Sequence, residues 1–273
     1  MRTRHLATVG RHAVLLLGSV TVIVPFLWMF TTSLQSRAET YTNTTIVPTA
    51  WHWENYARAW ESAPFGQYYL NSTLMAVGIV VGHIVLDALA AYAFARLRFP
   101  LRNTLFVLLL AVLLVPTFVT VIPAYSLVAS FGWIDTYAAL IVPRLADVFG
   151  IILLRQFFSS IPQELEDSAR IDGCSTAGTF FRIMVPLSMP AFATLAIFSF
   201  LFAWNDFLWP LLVTNSDEMR TIQVGLSSFQ GRYGTSWNYL MAGTMMATLP
   251  SIAVFMIFQR ALVRGIAMTG LKD

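Results

Sequence analysis

Four ionisable residues stand inside or beside long apolar stretches: Asp87, Arg144, Asp147 and Asp206. A charge at the bilayer centre costs about 2.5–3.5 kcal/mol on insertion scales, so such residues face a pore or a protein neighbour. Arg144 and Asp147 are three apart, a spacing that lets them neutralise each other on one helix face, and His83 and Asp87, four apart, admit the same pairing. The alternative is contact with a polar molecule passing along the spans. Trp204, Asn205, Asp206 and Trp209 close the fifth apolar run. Aromatic faces suit sugar rings, and the amide and carboxylate would hydrogen-bond hydroxyls; the same residues equally suit an aromatic belt at the outer water boundary.

A second constellation lies between two apolar runs, in the stretch DSARIDGCSTAGTFFRIMVPLSMP from Asp167 to Pro190. It reads as two short helices. Ser160 and Pro162 mark a start, because proline loses nothing in a first turn. Glu164, Glu166 and Asp167 then lie near the positive end of the helix dipole. Gly173 is placed to end that helix in the left-handed conformation. Ser175 can cap the next one, where Phe180, Phe181 and Met184 form a bulky face. Pro186 and Pro190 open the following span. The first helix carries Leu165, Ser168, Ala169 and Asp172 on one side, mostly small residues that let another surface approach its backbone. Cys174 reads as a small loop residue.

Several chemistries are excluded. A phosphate-binding P-loop needs a lysine after its glycines, and the single lysine, Lys272, follows no such loop. No H-E-x-x-H metal helix occurs, the one cysteine cannot build a thiolate metal site, and the intramembrane charges lack the spacing of a catalytic pair. The net charge of +3 is scattered, with no basic stripe to neutralise nucleic-acid phosphates.

These residues need elements to hold them. Of the 273 residues, 57% are hydrophobic and 11% charged, where a soluble domain carries about 25% charged. Most of the surface must therefore face lipid. Six runs are long enough to cross a bilayer: 13–34, 68–95, 103–134 (with a short surface piece at its end), 137–154, 183–205 and 233–259. The expected fold is all-α, a polytopic membrane protein with six transmembrane helices spanning 13–262. With the N-terminus inside, twelve basic residues, among them Arg2, Arg4, Arg96, Arg155, Arg260 and Arg264, lie on the cytoplasmic side. Four, Arg37, Arg58, Arg220 and Arg232, lie outside. That asymmetry places both termini, 1–12 and 263–273, in the cytoplasm. The first run is longer than a signal-peptide core and reads as a retained helix, with cleavage near 36–38 as the alternative. The external loop 35–67 places Trp51, Trp53, Tyr56 and Trp60 at helix-like spacing, suited to a helix at headgroup level or to a docking surface. The loop 155–185 is the longest cytoplasmic one.

That loop resembles the EAA loop of the membrane subunits of binding-protein-dependent ABC importers. The family pattern is Glu-Ala-Ala, three residues, Gly, nine residues, Ile, one residue, Leu-Pro. The chain has Asp167-Ser168-Ala169, Gly173, Ile183 and Val185-Pro186 at that spacing. Aspartate replaces glutamate, serine replaces alanine and valine replaces leucine. The stretches AAYAFARLRFP, LLRQFFSSIP, FAWNDFLWPLL and QRALVRG resemble the carbohydrate-uptake branch, on the side of the smaller maltose-type permease subunit. The resemblance implies a type I importer permease fold in a prokaryotic cell membrane. It also implies a homologous second permease, two ATPase subunits and an extracytoplasmic solute-binding lipoprotein. ATP and Mg would be used by the ATPase subunits, with no cofactor bound by this chain. Glu164, Asp167, Ser168, Ala169, Asp172, Gly173, Ile183 and Pro186 would form the ATPase-coupling loop. Asp87, Arg144, Asp147, Trp204, Asn205 and Asp206 would be candidates for the translocation path of a carbohydrate. Glycerol-phosphate or phosphodiester solutes are the alternative within the same branch, in which case Arg144 would become an anion partner. An ion-coupled secondary transporter would need no cytoplasmic helix pair.

Overall fold

The computed structural model describes residues 2–42, 47–231 and 234–270, with side chains over 10–42, 47–231 and 234–259. Arg232, Tyr233 and Lys272 lie outside the described residues, as do the side chains of Arg2, Arg4, Arg260 and Arg264 and the end of the expected tail 263–273. Among the described residues the chain is helical apart from one short antiparallel pair, Gln230–Gly231 with Gly234–Thr235. Three helices are long and apolar enough to cross a membrane: Gly10–Ser33, Phe65–Arg96 and Trp237–Gln259. Three further spans are helix pairs bent at a break: Arg102–Val112 with Thr117–Ser130 by 99°, Tyr137–Arg144 with Val148–Ser160 by 42°, and Thr176–Leu187 with Met189–Asn205 by 77°. With each bent pair counted as one span, the number is six.

The breaks fall at or near prolines. Pro116 stands at the first, extended at φ −60° and ψ 133°. Proline disfavours a helical conformation in the residue before it and donates no backbone bond, so the apolar run 103–134 cannot continue as one helix. Pro143 precedes the second break, and Pro186 and Pro190 bracket the third at Ser188.

The chain divides into two units. One comprises Met1–Phe65 and Gly225–Leu249. Its first span ends in carbonyls that have no helical partner. Buried Asn55 satisfies two of the carbonyls that follow the turn, donating Nδ2 to Ser33 O and Gln35 O, each at 2.9 Å. Ser36 and Glu39 form a reciprocal capping box: Glu39 Oε2 accepts from the Ser36 amide at 2.8 Å and Ser36 Oγ from the Glu39 amide at 3.3 Å. The aromatic loop differs from the expected single helix. Tyr56 and Trp60 lie in the helix Glu54–Glu61, while Trp51 precedes it and stacks on Trp53 at 6.5 Å. Tyr56 turns inward to Ser33 Oγ at 2.8 Å, and Trp51, Trp53 and Trp60 remain exposed.

The other unit comprises Gly66–Val224 and Pro250–Asp273. Its core joins the second span, the fourth span and the loop between the fourth and fifth. Ala88 and Ala91 are fully buried and let the helices Ala88–Arg96 and Val148–Ser160 pack closely. Tyr92 then stacks near Phe180 of the loop at 5.0 Å, and Phe158 lies 6.3 Å from both Phe180 and Phe192.

Candidate functional site

The loop helix runs Gln163–Ile171 and begins after Pro162; Ser160 instead ends the preceding helix Val148–Ser160. Gly173 terminates it at φ +83°. The Gly173 amide donates to Arg170 O at 3.0 Å and the Cys174 amide to Ala169 O at 2.9 Å, the paired bonds of a Schellman motif. A Cβ at Gly173 would meet nothing within 4 Å, so backbone conformation and not space requires the glycine. Ser175 caps the next helix, its Oγ accepting from the Gly178 amide at 3.1 Å. A π turn over Phe180–Met184 follows, turning Phe180 and Met184 into the core and leaving Phe181 exposed.

The face of the loop helix is mixed. Glu164, Asp167, Ser168, Asp172 and Gly173 are exposed, as is Pro186, while Ile183 is half-buried. Leu165 is 43% exposed and Ile171 86% exposed, apolar side chains standing free on a strongly charged loop. Glu166 and Ala169 are buried instead. Ala169, one turn from Leu165 on the same helix, therefore serves packing within the chain, while Leu165 and Ser168 beside it are exposed.

The intramembrane charges pair differently from their sequence spacing. Arg144 and Asp147 flank the break in the fourth span, so they do not share one helix face. Arg144 Nη2 instead lies 3.2 Å from Asp206 Oδ2, and its guanidinium sits 5.3 Å from the Phe202 ring and 5.7 Å from that of Trp209. His83 and Asp87 do not pair either. The second span winds into a π turn at His83–Asp87, and each side chain serves one edge of the break. His83 Nε2 donates to the carbonyl of Arg144 at 2.9 Å, which leaves Nδ1 of a neutral ring to accept from Ser199 Oγ at 2.7 Å. Asp87 Oδ1 accepts from the amide of Asp147 at 3.0 Å. Backbone groups freed inside a bilayer must find partners within the protein, and these two residues supply them. Gly150 admits the carboxylate, since a Cβ there would fall 2.1 Å from Asp87 Oδ2.

Trp204 is buried against Phe200 at 5.5 Å and Tyr69 at 5.9 Å, so its ring is packing and faces no open path. Asn205 Nδ2 donates to Leu201 O at 2.8 Å on its own helix. Trp209 is buried too, donating Nε1 to Ala139 O at 2.9 Å. Arg144 and Trp209 nevertheless line a cavity of about 120 Å³ with Thr117, Thr120, Val121, Ala124 and Pro143. Besides Arg144, the polar lining includes Thr117 and Thr120, which carry no charge to mark them in sequence. Among the described residues no group of three or more His, Cys, Asp or Glu side chains could hold a metal ion.

Residues 70–268 match the family described as the binding-protein-dependent transport system inner membrane component. The sn-glycerol-3-phosphate transport system permease protein UgpE of Yersinia enterocolitica is 35% identical over 93% of this chain and 94% of its own. The probable ABC transporter permease protein YurM of Bacillus subtilis is 34% identical over 94% of this chain and 86% of its own. Among solved structures, a chain of a bacterial ABC transporter involved in import of the acidic polysaccharide alginate superposes with a TM-score of 0.83. It covers 95% of this chain and 98% of its own at 21% identity, a likeness of fold. Bent spans around a closed alanine seam, a capped loop helix and a family match over most of the chain agree: the chain belongs to the inner-membrane components of binding-protein-dependent transport systems, the permease subunits of ABC importers.

Proposed function

We propose that this chain is the translocation subunit of an ATP-driven importer of carbohydrate, worked from the cytoplasmic side through the loop helix Gln163–Ile171. The observation that carries the reading is the exposure of Leu165 and Ile171 on a charged loop. The family match over 70–268, which includes this loop, supports reading these uncovered side chains as part of a surface that a partner covers. The partner is a cytoplasmic ATPase subunit whose cleft receives the helix. A homologous second permease completes the pathway, two ATPase subunits supply the drive, and an extracytoplasmic binding lipoprotein delivers the solute. ATP and Mg belong to the ATPase subunits. Closure of the ATPase dimer on ATP pulls the loop, and the spans turn from inward-open to outward-open as rigid bodies.

Both termini and the loop are cytoplasmic in this reading. Arg144, Asp206 and the threonines of the neighbouring cavity are the residues of this chain closest in chemistry to a hydroxylated solute. A glycerol-phosphate solute is the second reading, favoured by the likeness to UgpE proteins; Arg144 would then exchange Asp206 for the phosphate.

The test is uptake into vesicles carrying the whole complex, with maltose and sn-glycerol 3-phosphate as probes, energised by ATP alone or by an ion gradient alone. ATP-driven uptake of maltose supports the first reading, and ATP-driven uptake of the phosphate alone supports the second. Uptake on a gradient alone overturns both.

A further inference from the structure

The loop helix has nine residues, too few to be stable by itself in water, and it contributes only Glu166 and Ala169 to the buried interior. Something must hold it to the spans if it is to transmit force. Arg96, the last residue of the second span, is placed to do so. Its side chain is 8% exposed and its Nε lies 2.9 Å from Oε1 of Glu166, whose side chain is fully buried. Nη1 donates to Gln163 Oε1 at 2.8 Å. Nη2 donates to Phe158 O at 2.6 Å and also to Ile161 O, carbonyls at the end of the fourth span, where Phe158 O also accepts from the Ile161 amide at 3.2 Å.

One guanidinium thus joins three pieces: the end of the second span, the end of the fourth, and the loop helix. Arginine suits this because its planar fork presents five donors in fixed directions. Glu166 depends on it strongly. Neither Glu166 oxygen has an aligned hydrogen bond, so its charge is balanced by Arg96 and, at 3.8 Å, by Arg170. Removing one partner of such a buried pair leaves an uncompensated charge.

We infer that Arg96 and Glu166 are positioning residues that fasten the loop helix to the second and fourth spans, so that displacement of the loop moves these spans with it. The exposed side chains Leu165 and Ile171 face a partner; Arg96 and Glu166 face the protein's own interior. Docking and transmission are therefore separate tasks of one short helix. The functional consequence rests on the proposed ATPase docking, while the fastening itself does not.

The test uses the whole complex in lipid nanodiscs and compares Arg96→Gln, Glu166→Gln, the double variant and Arg96→Lys. Amide hydrogen exchange over 163–171 should rise by about tenfold in either glutamine variant. The double variant should be no worse than the worse single one, as expected for two residues acting as one unit. Arg96→Lys, which keeps the charge without the fork, should fall between. A second readout places a reporter cysteine at Thr120 in a Cys174→Ala chain and follows its reaction with a membrane-impermeant maleimide. ATP should change that rate when Arg96 is intact. In Arg96→Gln the ATPase should still copurify and hydrolyse ATP, and the reporter should no longer respond.

Unchanged exchange over 163–171 in both single variants overturns the inference, as does a reporter that responds to ATP equally well without Arg96. Multiplying effects in the double variant overturn it too. A reporter indifferent to ATP even in the Arg96 parent overturns the proposed function and leaves the exchange measurement to decide the fastening. Loss of the ATPase from Arg96→Gln contradicts the separation of docking from transmission.

Discussion

The loop helix Gln163–Ile171 and the π turn His83–Asp87 are both polar interruptions of an apolar chain, and they dispose of their polar groups in opposite ways. In the π turn, His83 and Asp87 are buried and each is spent on a backbone group at the break in the fourth span. In the loop helix most charges stand in water, and the unusual feature is apolar: Leu165 and Ile171 are left uncovered. A polar residue in lipid needs a partner within the chain, whereas an apolar residue in water is tolerated and becomes informative only with other signs of a partner. The difference separates a structural clamp from the docking surface proposed for the loop.

The comparison can be broken most severely at the clamp. Gly150→Leu would drive a side chain into Asp87 and Leu195, and overpacking of this kind costs about 3 kcal/mol. Thermal unfolding in detergent should show a large loss of stability, and a normal unfolding temperature would remove the clamp from the account. Asp87→Ala leaves the Asp147 amide without its acceptor, which costs about 2 kcal/mol. The same assay should rank it below Gly150→Leu.

At the loop the expected effects move from stability to assembly. Gly173→Asp forces a side chain into the left-handed conformation at φ +83°, at about 1–2 kcal/mol. Copurification of the ATPase and solute-stimulated hydrolysis should both fall; wild-type values for both would contradict docking at this loop. Ile171→Ser should change stability by less than about 0.5 kcal/mol and still reduce ATPase copurification. An Ile171→Ser complex that purifies intact would show that the exposed apolar face has another purpose.

The smallest effect lies in the external loop. The hydroxyl of Thr49, together with the backbone amides of Ser36 and Thr49, lowers the Glu39 carboxyl from 4.5 to about 2. Because the folded value is the lower one, Glu39's contribution is complete above 4.5 and is lost as pH falls toward about 2. Solvent screens it, as Glu39 is almost unburied. Protection of the Ser36 and Thr49 amides, the exchange rate taken relative to that of an unstructured peptide at the same pH, should fall across that acid window in the parent and lose this dependence in Glu39→Gln.

Much of the loop could be read locally. Gly173 ends its helix and Ser175 caps the next because turn and cap geometry depend on a few consecutive residues, and the six spans follow from runs of apolar residues that lipid requires. Pairing could not be read that way. Spacing suggested Arg144 with Asp147 and His83 with Asp87, but both suggestions presuppose unbroken helices. Once prolines and a π turn interrupt them, Arg144 finds Asp206 sixty-two positions away and Asp87 finds the Asp147 amide.

Glu166 makes the same point at the loop. In the linear chain it is one of several acids suited to a helix start, and nothing distinguishes it from Glu164 or Asp167. In the folded chain it is the buried one, facing Arg96 seventy residues earlier. Membrane crossing, helix ends and turn chemistry are set by interactions over a few residues and by the solvent around each segment. Which charge meets which is set by how helices pack, and packing depends on small seam residues such as Ala88, Ala91 and Gly150 acting together across distant parts of the chain.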